Sequence, residues 1–228
     1  VVSTSSGELT ACSSAGFSVN LQNGLVGYWP FCGNANDASG NNNNGTVNGA
    51  TLTTDRNGNV NSAYSFDGVN DYIFAPIDTN LFSTEATMII WLKNTNATPP
   101  TAAGTGFLGY GQGQVNDHYP YNNGVAYLST FRNVRVEAIP LSSTINRALP
   151  HMVSVTTDSS NWKLYQNATL QYSTSSTGIV YLSRFTIGYS INSFFYRGDV
   201  YAFMIYNRAL TESEITQNYN AMKNRFGI

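Results

Sequence analysis

"AYSFDGVNDYIFA", Ala63 to Ala75, decides the architecture. Ala63-Tyr64-Ser65-Phe66 alternates with the period-two pattern of a half-buried strand. Asp67-Gly68 then supplies a turn signal, since Gly accepts positive φ and Asp bonds to nearby backbone. The strand pattern resumes at Asp71 and runs to Ala75.

Upstream lies "GLVGYWPFCGNANDASGNNNNGTVNGATL", Gly24 to Leu52. Leu25 to Phe31 reads as a strand, and a run rich in Asn and Gly follows. Low complexity, a metal loop and a long rim loop of a β-sandwich are all open for that run. Asn and Gly suit a rim loop because they tolerate positive φ and bond their own backbone. Residues 1–22 are small and Ser/Thr-rich, and Phe17, Val19 and Leu21 alternate. This N-terminal extension is expected to add an edge strand to its own sheet, or to donate one to a neighbouring subunit. Residues 23–228 read as one domain.

Downstream, "ATMIIWL" (Ala86 to Leu92) is the strongest buried-strand candidate, and a Pro/Thr/Gly loop follows from Lys93 to Gly106. Short strands are expected at 107–110, 125–130, 134–139, 152–157, 185–189 and 199–206. A hairpin is expected around Asn167-Ala168. The C-terminus changes character: Thr211 and Glu214 have capping-box spacing, and Ile215, Tyr219 and Met222 share one helical face. Lys223 and Arg225 fall in its last turn, and Gly227 stops it. That helix is expected on the sandwich edge or offered to another subunit.

Composition narrows the function classes. Of 228 residues, 42% are hydrophobic and 13% aromatic, enough for a large core. Charged residues are 11%, against about 25% in typical domains. With net charge −2 and no basic cluster, nucleic acid is excluded as a partner. No apolar run reaches the roughly 20 residues of a membrane helix, so no membrane insertion is expected. The chain opens on Val without a signal-peptide pattern and is taken as a processed, exported chain. In that setting Cys12 and Cys32 are expected to form a disulfide, within one chain or between two, stabilising by about 3 kcal/mol; free thiols are the alternative. Asn44, Asn96 and Asn167 each open an N-x-S/T acceptor pattern.

Together these segments resemble a laminin-G-like, concanavalin-A-like jelly-roll domain of the bacterial or viral type. The motifs are the Asn/Asp/Gly loop after the first strand, "AYSFDGVNDYI", "WKLYQNATL" and "MIYNRALTESEI", covering Gly24 to Ile228. The resemblance implies an all-β fold: a two-sheet antiparallel jelly-roll sandwich with a C-terminal α-helix. It requires no cofactor and offers calcium as the one candidate ion. Asp37 and Asp71 are its candidate ligands, with turn-capping as the other reading. The family's acidic pair before the closing strand aligns here with Tyr201 and Ala202.

An enzyme is not expected. Glu85, Glu137, Asp158 and Asp199 are scattered rather than paired for glycan hydrolysis, and no nucleophile set accompanies His118 or His151. His151 reads as structural, and Trp29 and Trp91 as core. The leading expectation is an extracellular structural or adhesive protein on a cell or virion surface, assembling with copies of itself through the N-terminal strand. The alternative is a lectin-like module that binds glycans through rim loops. Its candidate contacts lie on the loop read from Tyr110 to Gly124: Asn116, Asp117, Tyr119 and Tyr121, with His118 beside them.

Overall fold

The computed structural model describes residues 19–82, 84–95, 106–110, 115–121, 125–128, 136–140, 147–175, 185–190 and 194–228. For the strands between 106 and 140 the description is of backbone and register. Ser83, Asn96 and residues 1–18, including Cys12 and Phe17, lie outside it.

Two antiparallel sheets form the body. The first has eight strands centred on β6 (Ala86–Asn94) and β17 (Arg197–Tyr206). On one side follow β11 (His151–Thr157), β12 (Asn161–Gln166) and β13 (Thr169–Ser175). On the other, β4 (Ala63–Asp67) pairs with the start of β17 and β1 (Leu25–Trp29) with its end, while β3 (Thr51–Thr53) pairs with β4. The second sheet runs β10 (Val136–Pro140), β9 (Val125–Leu128), β8 (Val115–Tyr121), β7 (Gly106–Tyr110), β14 (Phe185–Ile187), β5 (Tyr72–Ala75) and β2 (Thr46–Asn48). A small ribbon joins β15 (Tyr189–Ser190) to β16 (Phe194–Phe195). The expected sandwich is therefore present.

The core has two layers. Ile73, Ala75, Phe185 and Ile187 of the second sheet meet Ile90, Leu92, Val155, Phe203 and Ile205 of the first, with Trp29 fully buried among them. The opposite face of the first sheet presents Ile89, Trp91, Met152, Met204 and Tyr206 to helix α2 (Glu212–Met222) and the 3₁₀ turn Lys223–Phe226. Trp91 stacks on Tyr219 at 5.7 Å and meets Phe226 at 4.6 Å. Each such buried side chain contributes roughly 1.5–3 kcal/mol. β6 reads as an unbroken apolar run because both of its faces are covered.

Several expectations change here. The turn expected at Asp67-Gly68 is a corner between layers, with β4 in the first sheet and β5 in the second. The helix is not on the sandwich edge; it lies across the outer face of the first sheet. Val19–Gln22 is one helical turn, α1, with Leu21 buried, so Val19 and Leu21 do not continue a strand. The Tyr110–Gly124 segment is not a loop throughout, since Val115–Tyr121 is β8. Its pairing with β9 is irregular between His118 and Tyr121, where Pro120 has no N–H to give a ladder. β2 and β3 went unpredicted because three-residue Thr/Asn strands carry no apolar period.

The Asn/Gly run is a hydrogen-bonded rim loop. Asp37 organises it: Oδ1 accepts from the amides of Tyr28 (2.9 Å) and Ser39 (2.8 Å). Its Oδ2 accepts from Ser39 Oγ and the Asn43 amide, both at 2.9 Å. Arg225 does not sit in the last turn of α2. It is buried in the 3₁₀ turn, donating to Pro30 O at 2.6 Å with Cys32 Sγ 3.3 Å away.

Candidate functional site

The alternation of "DYIFA" sets up one surface. Ile73 and Ala75 enter the inter-sheet core, which turns Tyr72 and Phe74 to the outer face of the second sheet, where both are half-buried. Phe74 stands opposite Thr46 on one side and Thr186 on the other. Asn48 stands opposite Tyr72.

Gly188 extends this surface. Its φ is +89°, and the Phe66 ring fills the space a Cβ would take, so glycine is required there. The chain leaves β14 at this bend and enters the β15–β16 ribbon. Thr186 Oγ1 donates to Tyr189 O at 3.0 Å, and the Tyr196 amide donates to Gly188 O at 2.8 Å, pinning the ribbon down. Tyr189 meets Tyr72 at 5.9 Å and Phe195 at 4.9 Å, both tilted. Tyr72, Phe74, Tyr189 and Phe195 thus form a half-buried aromatic tract, bordered by Thr46 and Asn48. It contains no charged side chain. Such rings offer apolar faces, and the flanking hydroxyls and amide supply directional hydrogen bonds.

Register places the predicted ligand segment beside this tract. The row Thr46–Phe74–Thr186 continues through Gly109 to Asn116 on β8. Asp117 stands opposite Leu108, and Tyr119 and Tyr121 follow on the same strand. The ribbon lies against β7 and β8. Sequence reasoning missed the four aromatic residues themselves. Tyr72 and Phe74 were legible as the alternate positions to Ile73 and Ala75; Tyr189 and Phe195 sit in two-residue strands that leave no periodic signal.

The other candidates have local roles. Asp71 is buried, and its Oδ2 accepts from the Asp67 amide at 2.9 Å, bracing the corner between sheets. Its Oδ1 lies against Gly49, whose φ of +79° and missing side chain leave room for it. Asp37 and Asp71 thus serve separate turns. No group of three or more His, Cys, Asp and Glu side chains suited to a metal occurs among the described residues. Tyr201 and Ala202 are buried beneath the C-terminal segment, with Tyr201 5.4 Å from Phe226. Glu85 faces the Ala209 amide, Asp158 caps the 158–161 turn, and Asp199 pairs with Lys93 at 3.1 Å. His151 is fully buried, with Nδ1 2.9 Å from Leu149 O; burial lowers its pKa to about 4. Asn44 is exposed on the rim loop. Asn167 occupies the two-residue hairpin turn with φ of 45° and accepts from the Met152 amide at 2.8 Å.

The model of one family, the concanavalin A-like lectin/glucanases superfamily, matches residues 67–216, more than half of the chain. The chain belongs to this superfamily. No curated protein matches it. Among solved structures, this superfamily member is similar to domain 4 of AbnA, a GH43 extracellular arabinanase from Geobacillus stearothermophilus, in complex with arabinotriose. The TM-score is 0.67 at 18% identity, covering 85% of this chain and 97% of that one. It is also similar to the binding domain of Paraclostridial Mosquitocidal Protein 1, with TM-score 0.70 at 19% identity over 90% of this chain and 53% of that one. A third is the botulinum neurotoxin serotype D ligand binding domain in complex with N-acetylneuraminic acid, with TM-score 0.69 at 18% identity over 88% and 52%. The chain thus spans nearly all of the arabinanase domain and about half of each toxin domain. At these identities the likeness is one of fold.

Proposed function

We propose that this protein is a non-enzymatic carbohydrate-binding domain that contacts its glycan with the outer face of the seven-stranded sheet. The observation that carries this reading is the aromatic tract of Tyr72, Phe74, Tyr189 and Phe195 with Thr46 and Asn48 at its border. Saccharide rings present an apolar face to aromatic side chains and hydroxyls to amides and alcohols, and the tract supplies both chemistries. The low charge of the chain fits a role outside the cell or on a cell or virion surface. Domains of similar fold with bound arabinotriose and N-acetylneuraminic acid lend further support. Assembly into filaments through an N-terminal strand draws no support from Val19–Gln22, which is helical. A Cys12–Cys32 bridge remains part of the proposal; among the described residues no cysteine is free.

Affinity electrophoresis through a panel of neutral polysaccharides tests the reading. The wild-type protein is expected to be retarded by at least one. Tyr72→Ala combined with Tyr189→Ala is expected to weaken that retardation at least tenfold, about 1.4 kcal/mol. Leu170→Ala, an exposed position on β13, is expected to leave it unchanged. A wild-type protein that binds none of the panel, or a double variant that binds as well as wild type, contradicts the proposal.

A further inference from the structure

A buried cation near the C-terminus has no anion to match it. Arg225 is 7% exposed, in the 3₁₀ turn that Phe226 anchors against Trp91 and Tyr201. Its Nη2 donates to Pro30 O at 2.6 Å and to Cys32 Sγ at 3.3 Å. Between those two residues Phe31 is buried with φ of 53°, a left-handed turn that brings both acceptors to one guanidinium nitrogen. The Tyr28 hydroxyl also bonds the guanidinium, and Nε finds no acceptor among the described residues.

Each of these acceptors is neutral. Burial holds the Tyr28 phenol above its ordinary pKa, so it stays protonated. Asp55 attracts the guanidinium, but its oxygens accept from the amides of Asn57 and Asn59 and from the Asn59 side chain. The ion pairs among the described residues, Lys93–Asp199 and Arg208–Glu214, leave Arg225 out. A buried charge without a counter-charge is costly, and burial draws the Arg225 pKa down from its ordinary value. The group placed to supply the missing charge is Cys32, half-buried and 3.3 Å away. As a disulfide sulfur it is a weak acceptor; as a thiolate it is a charged and strong one.

We propose that the Cys12–Cys32 bridge is a reversible latch opened by an external dithiol, with Cys32 as the leaving sulfur and Arg225 as its receiver. This rests on the bridge proposed above. A thiolate of the reductant attacks Cys12 Sγ. The bond between the two cysteines breaks, and its electron pair leaves on Cys32 as a thiolate paired with Arg225. The second thiol of the reductant then displaces Cys12, and the reductant ends as its own disulfide. Two electrons pass to the bridge; of the two thiol protons, Cys12 takes one and solvent the other. A cation beside a thiolate lowers its pKa, a lower-pKa sulfur leaves faster, and a stabilised reduced state makes a disulfide easier to reduce. Opening cuts the covalent tie to the N-terminal extension and puts an ion pair between the exit of β1 and the C-terminal turn in its place.

A thiol assay of the wild-type protein, unfolded without reductant, separates the two claims: none is expected, and two free thiols would remove the bridge and the latch together. With the bridge present, equilibration against mixtures of reduced and oxidised dithiothreitol, quenched by alkylation and read by mass, tests the latch alone. Arg225→Gln is expected to need at least a tenfold higher ratio of reduced to oxidised dithiothreitol, a potential about 30 mV lower. Arg225→Lys is expected to fall between it and wild type. Iodoacetamide alkylation of the reduced wild type across pH, followed on the Cys32 peptide, is expected to show a midpoint at least one unit below the ordinary thiol value near 8.5, about which it settles in guanidinium chloride. Thermal melts establish that the variants are folded; where Arg225→Gln does not fold, the wild-type alkylation profile decides. A Cys32 midpoint no lower in the folded than in the unfolded protein overturns the latch and leaves the bridge purely structural. An unchanged redox midpoint in folded Arg225→Gln overturns it as well.

Discussion

His151 shows how burial decides the role of a single side chain. Its ring sits at the first position of β11, opposite Leu92, with Nδ1 held by Leu149 O. Desolvation lowers its pKa to about 4, from an ordinary value near 6.5. The unfolded chain therefore takes up a proton below pH 6.5 that the folded chain refuses until about pH 4. Stability is lost across that window as pH falls, by about 3 kcal/mol. Urea denaturation at a series of pH values checks this: the wild-type midpoint is expected to drop between pH 6.5 and 4 more steeply than that of His151→Gln. Parallel profiles would contradict it. At the same scale, the sequence left Asp37 between a calcium ligand and a turn cap, and placed Trp29 and Trp91 in the core, where both are buried. It could not identify the closeness of Asp71 to Gly49, because residues 22 positions apart meet only once β2 pairs with β5 in the second sheet.

Elements were legible where local rules and tertiary demands agree. Thr211 caps α2 and Glu214 reaches back to the Thr211 amide at 2.8 Å, as their spacing predicts. Glu214 also holds Arg208 through two contacts, at 2.7 and 3.0 Å. The hydrogen bond from Arg208 leads in pulling the Glu214 pKa down to about 2. Such a group contributes stability above its ordinary pKa of 4.5 and loses it as pH falls towards 2. Glu214→Gln is expected to lower stability by about 1–2 kcal/mol at neutral pH. The gap from wild type is expected to close as pH approaches 2, measured by thermal or urea unfolding; a gap that persists at pH 2 would contradict this account. Elements were illegible where they are short or override alternation. Val19–Gln22 carries a strand-like pattern yet forms a helical turn, and β8 contains both Pro120 and a broken register.

The whole molecule is a three-layer object with unlike outer faces. α2 and the 3₁₀ turn close the outer face of the eight-stranded sheet over Trp91, Tyr201 and Tyr206. Among the described residues, no helix covers the outer face of the seven-stranded sheet, and there the aromatic tract lies. The jelly-roll class was implied by the family resemblance that the motifs between Gly24 and Ile228 carry, while the strand and turn signals by themselves gave only a chain of short strands. The identity of the ligand face was not implied, because it depends on which sheet β4 and β5 each join, and the Asp67-Gly68 turn is compatible with a hairpin or a corner. The most direct test of the proposed face is an NMR titration of the assigned protein with the tightest-binding oligosaccharide of the neutral panel. The account predicts saturable shifts concentrated at Thr46, Tyr72, Phe74, Tyr189 and Phe195, with α2 and the Asp37 loop unmoved. Shifts confined to the Asp37 loop or to α2, with the aromatic tract silent, would contradict it.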